Sequence, residues 1–306
     1  MTDAAKMTDA GKQATERDGH VPDLAKMLSL ASTEARTHYD IFTGPAMPTP
    51  HGRAFGGQVL GQALIAAGLT APEGREIHSM HGYFVRPGDS NAPMTFEIAR
   101  LYDGKSYSTR RAQAYQNADV LMSLIASYQG EDEGLEHQEG FDVSSIPQPE
   151  DLPSVWEKYG HLTGDLRNSW VLNRPFDFRY VESDLFMQVG ERTNRQLVWL
   201  RSREPLAGGQ PVHSAALAFA SDYVLLEPVT RQHGIPWATP GMRAASLDHS
   251  MWFHRPFSVD DWLLYELESP TAQGGRGLAH GRFYDRSGAL VASVSQESMI
   301  RVPRQS

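Results

Sequence analysis

The sequence predicts an α+β protein made of two copies of one unit, in which an antiparallel sheet wraps around a single helix. Each half of the 306 residues begins with a helix-like segment rich in small apolar residues and continues with runs of β-branched and aromatic residues. Two short motifs also recur at the same distance along the chain: YFVRP at 83–87 corresponds to WFHRP at 252–256, and YQN at 115–117 to YDR at 284–286. This equal spacing favours an internal duplication.

The first copy is expected over residues 23–131, with its helix at 56–69. Glycines in this helix allow close approach to a neighbouring element. The predicted strands are IHSMHGYFVRP, MTFEIARLYD, SYSTRRAQAYQ and VLMSLIASYQ, separated by Gly- and Pro-containing turns. Residues 132–165, rich in Glu, Pro and Gly, are interpreted as a linker.

The second copy is expected over residues 166–302 and repeats the order of the first. Its helix is predicted at 213–226, in the segment HSAALAFASDYVLL. Strands are predicted at FDFRYVES and QLVWLRS, and then around 243–254, 261–269, 277–285 and 289–301.

Composition excludes several classes of function. The formal net charge of −9 argues against non-specific binding to nucleic acid, and no run approaches the about 18 apolar residues that a membrane span needs. The chain has no cysteine, so disulfides, thiolate nucleophiles and Cys-ligated metals are excluded.

The chain ends point to a cytoplasmic protein. Residues 1–22 are polar and repeat MTDA, which predicts a disordered tail rather than a signal peptide, and Met7 offers an alternative start. The C-terminal RVPRQS is not the peroxisomal tripeptide Ser-Lys-Leu.

One acid in the second helix is unusual. The helical neighbours of Asp222 at three and four residues are all apolar: Ala218, Phe219, Leu225 and Leu226. An unpaired buried charge is costly, so either the helix frays before Pro228 and the carboxylate reaches water, or partners surround it. The first helix has no acid and carries only Gln58 and Gln62 as polar side chains.

An amide provides a candidate partner. Gln296 shares one face of the last strand with apolar side chains at Leu290, Ala292, Val294 and Ile300. An inward acid and an inward amide predict a small polar pocket, which suits hydrolysis of an activated acyl group by a water molecule without a covalent nucleophile. A hydroxyl is expected from Ser246 or Ser250, and periodicity does not choose between them.

Other catalytic motifs are absent. The chain has no G-x-S-x-G, no phosphate-binding G-x-x-x-x-G-K-[ST], no G-x-G-x-x-G and no H-E-x-x-H. His78 and His81 are expected on opposite faces of a strand, which is wrong for chelation. No metal site is therefore predicted.

Four segments together resemble the acyl-CoA thioesterase II family: FGGQVLGQAL, HSMHGYFVRPGD, LDHSMWFHRPF and LVASVSQESMIR. The resemblance covers residues 23–302. It implies a double hotdog fold, in agreement with the internal repeat. It also implies hydrolysis of fatty acyl-CoA to free fatty acid and CoA without a metal or an organic cofactor, in a homodimer or homotetramer.

The resemblance further implies a catalytic triad of Asp222, Ser246 and Gln296, which selects Ser246 over Ser250. Many bacterial members carry Thr at the position of Ser246, and both residue types donate and accept hydrogen bonds. His78 also lies in a family motif. It is a candidate substrate-binding residue, although a strand histidine packed near the channel explains it equally well.

Two other functions remain to be weighed. A hydratase or dehydratase would share the fold, but its pattern needs an acid, an Asn and a His on one segment, and YVLLEPVTRQH after Asp222 contains no Asn. A non-catalytic acyl-CoA-binding protein would keep the channel and lose the polar triad, whereas all three positions are present.

Overall fold

The computed structural model describes residues 22–34, 38–162 and 174–303. The tail predicted at 1–22, apart from its last residue, lies outside the described residues, as do Met7 and the last three residues of the chain. No helix of the described segments is long and apolar enough to cross a membrane.

Among the described residues, the strands form one 13-stranded antiparallel sheet. The first copy contributes β1 Ala31–Ser32, β2 Asp40–Gly44, β3 Arg75–Phe84, β4 Met94–Asp103, β5 Tyr107–Gln116 and β6 Asp119–Gly130. The second contributes β7 Phe176–Tyr180, β8 Arg195–Ser202, β9 Arg243–Ser246, β10 Asp248–Phe253, β11 Leu263–Gln273, β12 Arg276–Tyr284 and β13 Leu290–Arg301. Their order in the sheet is β1-β2-β4-β5-β6-β3-β10-β13-β12-β11-β8-β7, and β9 pairs with β13. The double hotdog prediction is confirmed.

The helices are short apart from one in each copy. They are α1 Leu24–Met27, α2 Gly56–Gly68, α3 Val155–Tyr159, α4 Gln210–Ser221 and α5 Glu227–Gln232, with 3₁₀ turns at Val143–Ser145 and Pro149–Asp151. The central helices, α2 and α4, are rich in fully buried alanine and leucine and lie inside the curved sheet.

The two copies join along β3 and β10, where Met80 pairs with Met251 at the centre of the sheet. Beneath this seam, α2 and α4 pack together. A Cβ at Gly57 would lie 2.2 Å from the carbonyl oxygen of Phe219, and one at Gly61 would lie 3.0 Å from that of Ala215. Glycine is therefore required at Gly57, as the prediction of close helix approach implies.

The second helix differs from its prediction at both ends. It begins at Gln210 and stops at Ser221, so that Asp222 is its C-cap rather than an interior residue. A turn follows, and then α5 begins with Pro228 in its first turn, where a missing N–H costs nothing. The predicted continuous helix over 213–226 is wrong beyond Ser221.

The segment predicted as a linker packs on the outer face of the second copy. The ring of Phe141 stacks on Tyr284 with 4.5 Å between centroids, and the indole N–H of Trp199 donates to the carbonyl oxygen of Pro147 at 2.9 Å. These contacts cover a second apolar cluster formed by Val143, Trp199, Trp262, Leu264 and Tyr284.

The outer face near the seam keeps apolar surface. Tyr83 is 67% exposed, Ile125 47% and Trp252 37%, and all three lie on β3, β6 or β10. Patches of this kind are commonly covered by another protein surface.

Candidate active site

A cavity of about 630 Å³ lies where the two copies meet. Both copies line it. The first contributes Met47, Thr49, Pro50, His51, Arg53, Ala54, Phe55, Gly56, Val59, Phe84, Val85, Arg86, Pro87, Gly88 and Leu121, and the second Arg174, Asp222, Tyr223, Leu226, Trp237, Met242, Ala244, Ala245, Ser246, Leu247 and Gln296. Asp222, Ser246 and Gln296 thus meet on one cavity wall, and His78 is not part of it.

Asp222 lies between the two copies. It caps the C-terminus of α4, and its carboxylate reaches the N-terminus of α2, where it accepts a hydrogen bond from the backbone N–H of Gly57. A Cβ at Gly56 would lie 2.7 Å from Oδ2 of Asp222, so a larger residue would displace the carboxylate. The N-terminus of a helix favours a negative charge, which is one reason why the acid is tolerated here.

A β-bulge points Ser246 toward the acid. Ser246 on β9 pairs with Ser298 on β13, whereas Ser250 on β10 pairs with Ser295. The pairing with β13 therefore shifts by one residue at Leu247. Such a shift moves the following side chains to the other face. Ser246 therefore faces the cavity, and its hydroxyl donates to Oδ1 of Asp222 at 2.9 Å. Ser250 instead shares the outer face with Trp252.

Gln296 is held by hydrogen bonds at both ends of its amide. Its Nε2 donates to the hydroxyls of Ser246 and Ser298, each at 3.0 Å. Its Oε1 lies 2.6 Å from Nδ1 of His249. The Ser246 hydroxyl gives its one proton to Asp222 and therefore accepts from the Gln296 NH₂ group, which leaves the amide oxygen facing His249. Because an amide oxygen only accepts, Nδ1 of His249 carries the proton.

His249 is a residue that sequence reasoning missed. It is fully buried, and its Nε2 lies 3.0 Å from the hydroxyl of Ser221. With the proton on Nδ1, Nε2 can only accept, and it shares the single Ser221 hydroxyl proton with the carbonyl oxygen of Ala218, 2.9 Å from that hydroxyl. A signal was available, since His249 alternates with Met251 and Phe253 and so belongs to the inner face of β10.

The electrostatics of the site suit proton transfer near neutral pH. Burial raises the pKa of Asp222 to about 6, and hydrogen bonds from Ser246, Gly57 and Gln296 partly offset this rise. Burial lowers the pKa of His249 to about 4, so the imidazole is neutral. Asp222 is therefore mostly ionised at pH 7 yet basic enough to take a proton.

His78 lies elsewhere, on the outer face of the sheet. Its Nε2 is 2.8 Å from the hydroxyl of Ser127, and its ring packs edge-on against Tyr107. A bulge between Ile77 and Ser79 brings His78 to the face that also carries His81, and burial, followed by the nearby His81, lowers the pKa of His78. The prediction that these two histidines lie on opposite faces is wrong. No group of three metal-ligating side chains is present within the described segments.

The chain is similar to known acyl-CoA thioesterases along most of its length. Family models described as acyl-CoA thioesterase N-terminal domain and acyl-CoA thioesterase match residues 44–129 and 172–299. The chain is 36% identical to acyl-coenzyme A thioesterase 8 of Homo sapiens, over 87% of this chain and 86% of the relative. It is 33% identical to acyl-CoA thioesterase 2 of Haemophilus influenzae, over 85% and 92% respectively. The crystal structure of the acyl-CoA thioesterase II TesB2 from Mycobacterium marinum superposes with a TM-score of 0.74 at 36% identity, covering 92% of this chain and 99% of that one.

Proposed function

Because the chain belongs to the acyl-CoA thioesterase family and is a thioester hydrolase, we propose that it hydrolyses fatty acyl-CoA to free fatty acid and CoA with a water activated by Asp222, Ser246 and Gln296. One observation carries the proposal. The three side chains form a continuous hydrogen-bonded set on the wall of a cavity whose remaining lining is largely apolar. Such a cavity fits an acyl chain with its thioester beside the polar group.

The proposed reaction begins with proton transfer from water to Asp222. The oxygen of that water, oriented by Ser246 and Gln296, forms a bond to the thioester carbon. The C–S bond then breaks, and the proton held on Asp222 passes to the leaving sulfur of CoA. Asp222 thus ends each turnover ionised, and the products are the free acid and the thiol.

The carbonyl oxygen needs a donor as negative charge develops on it. The N-terminus of α2 is our candidate, since Gly56 lines the cavity there and the first N–H groups of a helix have no partner inside the helix. The first copy would then supply the backbone of the site and the second copy its side chains.

His249 is proposed as a positioning residue. Rotation of the Gln296 amide by half a turn would place its NH₂ against the Nδ1–H of His249 and its oxygen against Ser246. Two donors would then face each other in a buried place, which is unfavourable. His249 therefore keeps the Gln296 NH₂ group directed toward Ser246 and the water.

The duplication supports one active site per chain. By the spacing of the repeated motifs YFVRP and WFHRP, Met80 occupies in the first copy the position of His249 in the second. The first-copy helix α2 holds no acid. With Met80 in place of a histidine and no acid in α2, the first copy lacks the groups that a second hydrolytic centre would need.

The same residues argue against the two alternative functions, a hydratase or dehydratase and a non-catalytic acyl-CoA-binding protein. A hydratase pattern requires an Asn after the acid, which 223–233 lacks. A binding protein has no need of a base hydrogen-bonded to a hydroxyl and an amide on the cavity wall. A role in fatty acid metabolism and a cytoplasmic location are part of the same proposal.

Release of free thiol from a panel of acyl-CoAs of different chain lengths tests the function. Hydrolysis with release of one CoA per acyl group supports it. Hydration of an enoyl-CoA without thiol release would favour the hydratase reading, and binding without turnover would favour the binding protein.

A further inference from the structure

The rim of the cavity is positively charged, although the chain as a whole carries a net charge of −9. Its exposed lining residues include His51, Arg53 and Arg86, all from the first copy. Asp222 is the one carboxylate among the described residues that line the cavity, and it belongs to the inner wall. The opening thus presents cations to a ligand that enters toward Asp222.

Arg53 is carried on a tight, internally bonded loop. The hydroxyl of Thr49 donates to the carbonyl oxygen of Arg53 at 2.7 Å, and the N–H of Thr49 donates to the hydroxyl of Ser90 at 3.1 Å. Gly52 between them has a φ of +71°, a conformation that glycine adopts without strain. The loop is therefore fixed before any ligand binds, while the Arg53 side chain is exposed.

No carboxylate of the described residues lies within 4.0 Å of the Arg53 guanidinium, so its charge is available to an anion. Among the described residues, Arg86 has one acidic neighbour, Asp119, at 3.6 Å from its Nε. Both side chains are more than half exposed, at 52% and 65%. An exposed pair of this kind contributes little, so a phosphate can displace it.

His51 adds a neutral donor. Its Nδ1 accepts from the backbone N–H of Arg53 at 3.3 Å, which assigns the ring proton to Nε2. Burial and the charge of Arg53 lower the pKa of His51, so the ring stays neutral at pH 7. A neutral Nε2–H donor and two guanidinium groups on the same rim are a suitable set for phosphate oxygens.

We propose that His51, Arg53 and Arg86 bind the phosphate groups of the CoA moiety at the mouth of the cavity. This inference rests on the proposed function, because it concerns the other end of the same substrate. The phosphates stay on the exposed rim, and the pantetheine arm leads inward to the thioester beside Asp222. Guanidinium groups also attract the anionic substrate before it docks.

The second copy offers a matched control. Arg255 corresponds to Arg86 in the repeated motif, and it makes the corresponding hydrogen bond: Arg255 Nη1 donates to the carbonyl oxygen of Leu290 at 2.8 Å, and Arg86 Nη1 to that of Val120 at 3.3 Å. Arg255 does not line the cavity. Substitution of either Arg86 or Arg255 by Ala thus removes an arginine near the end of a central strand. Only Arg86 lies at the cavity mouth.

The experiment compares two thioesters with the same acyl group: the acyl-CoA and the acyl-N-acetylcysteamine thioester, which has no phosphates. The measured quantity is the ratio of their kcat/KM values. Replacing both Arg53 and Arg86 by Ala should lower this ratio about tenfold or more through KM, a change of about 1.4 kcal/mol, because exposed charged groups contribute less than buried ones. Arg255→Ala should leave the ratio unchanged.

Salt provides an independent readout. The KM of the natural chain for acyl-CoA should rise with ionic strength, and the double variant should show a weaker rise, because screening acts on the charges that were removed. An unchanged ratio in the double variant, or an equal loss in Arg255→Ala, would overturn the inference. Failure of the natural chain to hydrolyse either thioester would instead overturn the proposed function.

Discussion

Replacing Asp222 by Asn should inactivate the enzyme and at the same time stabilise the fold above neutral pH. Asn is nearly isosteric with Asp but cannot accept a proton from water. Turnover should fall about 10²-fold or more, the usual scale for loss of a general base. The natural chain should lose kcat/KM as the pH falls through about 6, where Asp222 becomes protonated.

The stability change follows from the raised pKa of Asp222. The protonated carboxyl favours the folded state below its unfolded pKa of 3.8, and this contribution is lost as the pH rises through about 6. At pH 8 the ionised group therefore lowers the free energy of unfolding by about 3 kcal/mol, at about 1.4 kcal/mol per pKa unit. Asn avoids this cost. Its NH₂ group, however, cannot accept a hydrogen bond from one of the donors around Asp222, which lowers the free energy of unfolding by about 1–2 kcal/mol. A net gain of about 1–2 kcal/mol remains.

Urea denaturation of the natural chain and of Asp222→Asn at pH 8 and at pH 4.5 measures this gain. The advantage of the variant should be largest at pH 8 and should shrink at pH 4.5, where both side chains are neutral in the folded protein. Asp261→Asn, at an exposed position in the turn before β11, is the control and should change neither stability nor turnover. A folded Asp222→Asn protein with near-normal turnover, or one less stable than the natural chain at pH 8, would refute the reasoning.

The supporting residues and the assembly give further expectations. Gln296→Ala should lower kcat strongly with little change in KM, whereas Ser246→Thr should stay active because threonine keeps the hydroxyl. An inactive Ser246→Thr together with normal activity of Gln296→Ala would contradict the assigned roles. His249→Asn keeps a donor near the place of Nδ1 and should retain more kcat than His249→Gln. We expect His249→Gln to lose about tenfold in kcat, the effect of one misplaced buried hydrogen bond. Equal kcat values for the two variants at equal thermal stability would argue against a positioning role. The exposed apolar patch at the seam leads us to expect an even-numbered homo-oligomer, and light scattering coupled to gel filtration would contradict this if it gave a stable monomer of 33.9 kDa. Titration with a non-hydrolysable acyl-CoA analogue should give one site per chain, and two equivalent sites would show that the first copy binds as well.

The acid and the amide of the site could be predicted because burial of polar groups leaves a clear signal in sequence. In the sequence, Asp222 and Gln296 stand among apolar residues at helix and strand spacing respectively, and buried polar groups need partners. The structure places both on one cavity wall. The hydroxyl could not be chosen by periodicity, because the bulge at Leu247 reverses the faces between Ser246 and Ser250.

A second bulge explains the error at His78. Strict alternation separates His78 from His81, but the additional residue between Ile77 and Ser79 brings them to one face. Neither bulge has a Gly or Pro to mark it, so local sequence gives no warning. The bulges follow from how each strand fits its neighbours in the sheet, which is long-range information.

The position of Asp222 shows why a duplicated chain makes this site. An acid at the end of a helix would meet only the carbonyl groups of its own C-terminus, which disfavour a negative charge. Here the N-terminus of α2 from the other copy faces the same carboxylate, and Gly56 and Gly57 give it room. The second copy thus holds the proposed base, hydroxyl and amide, and the first copy provides the helix end that tolerates the charge. Once both helices lie in one chain, the two copies are free to diverge, and each needs to keep only its own part of the site.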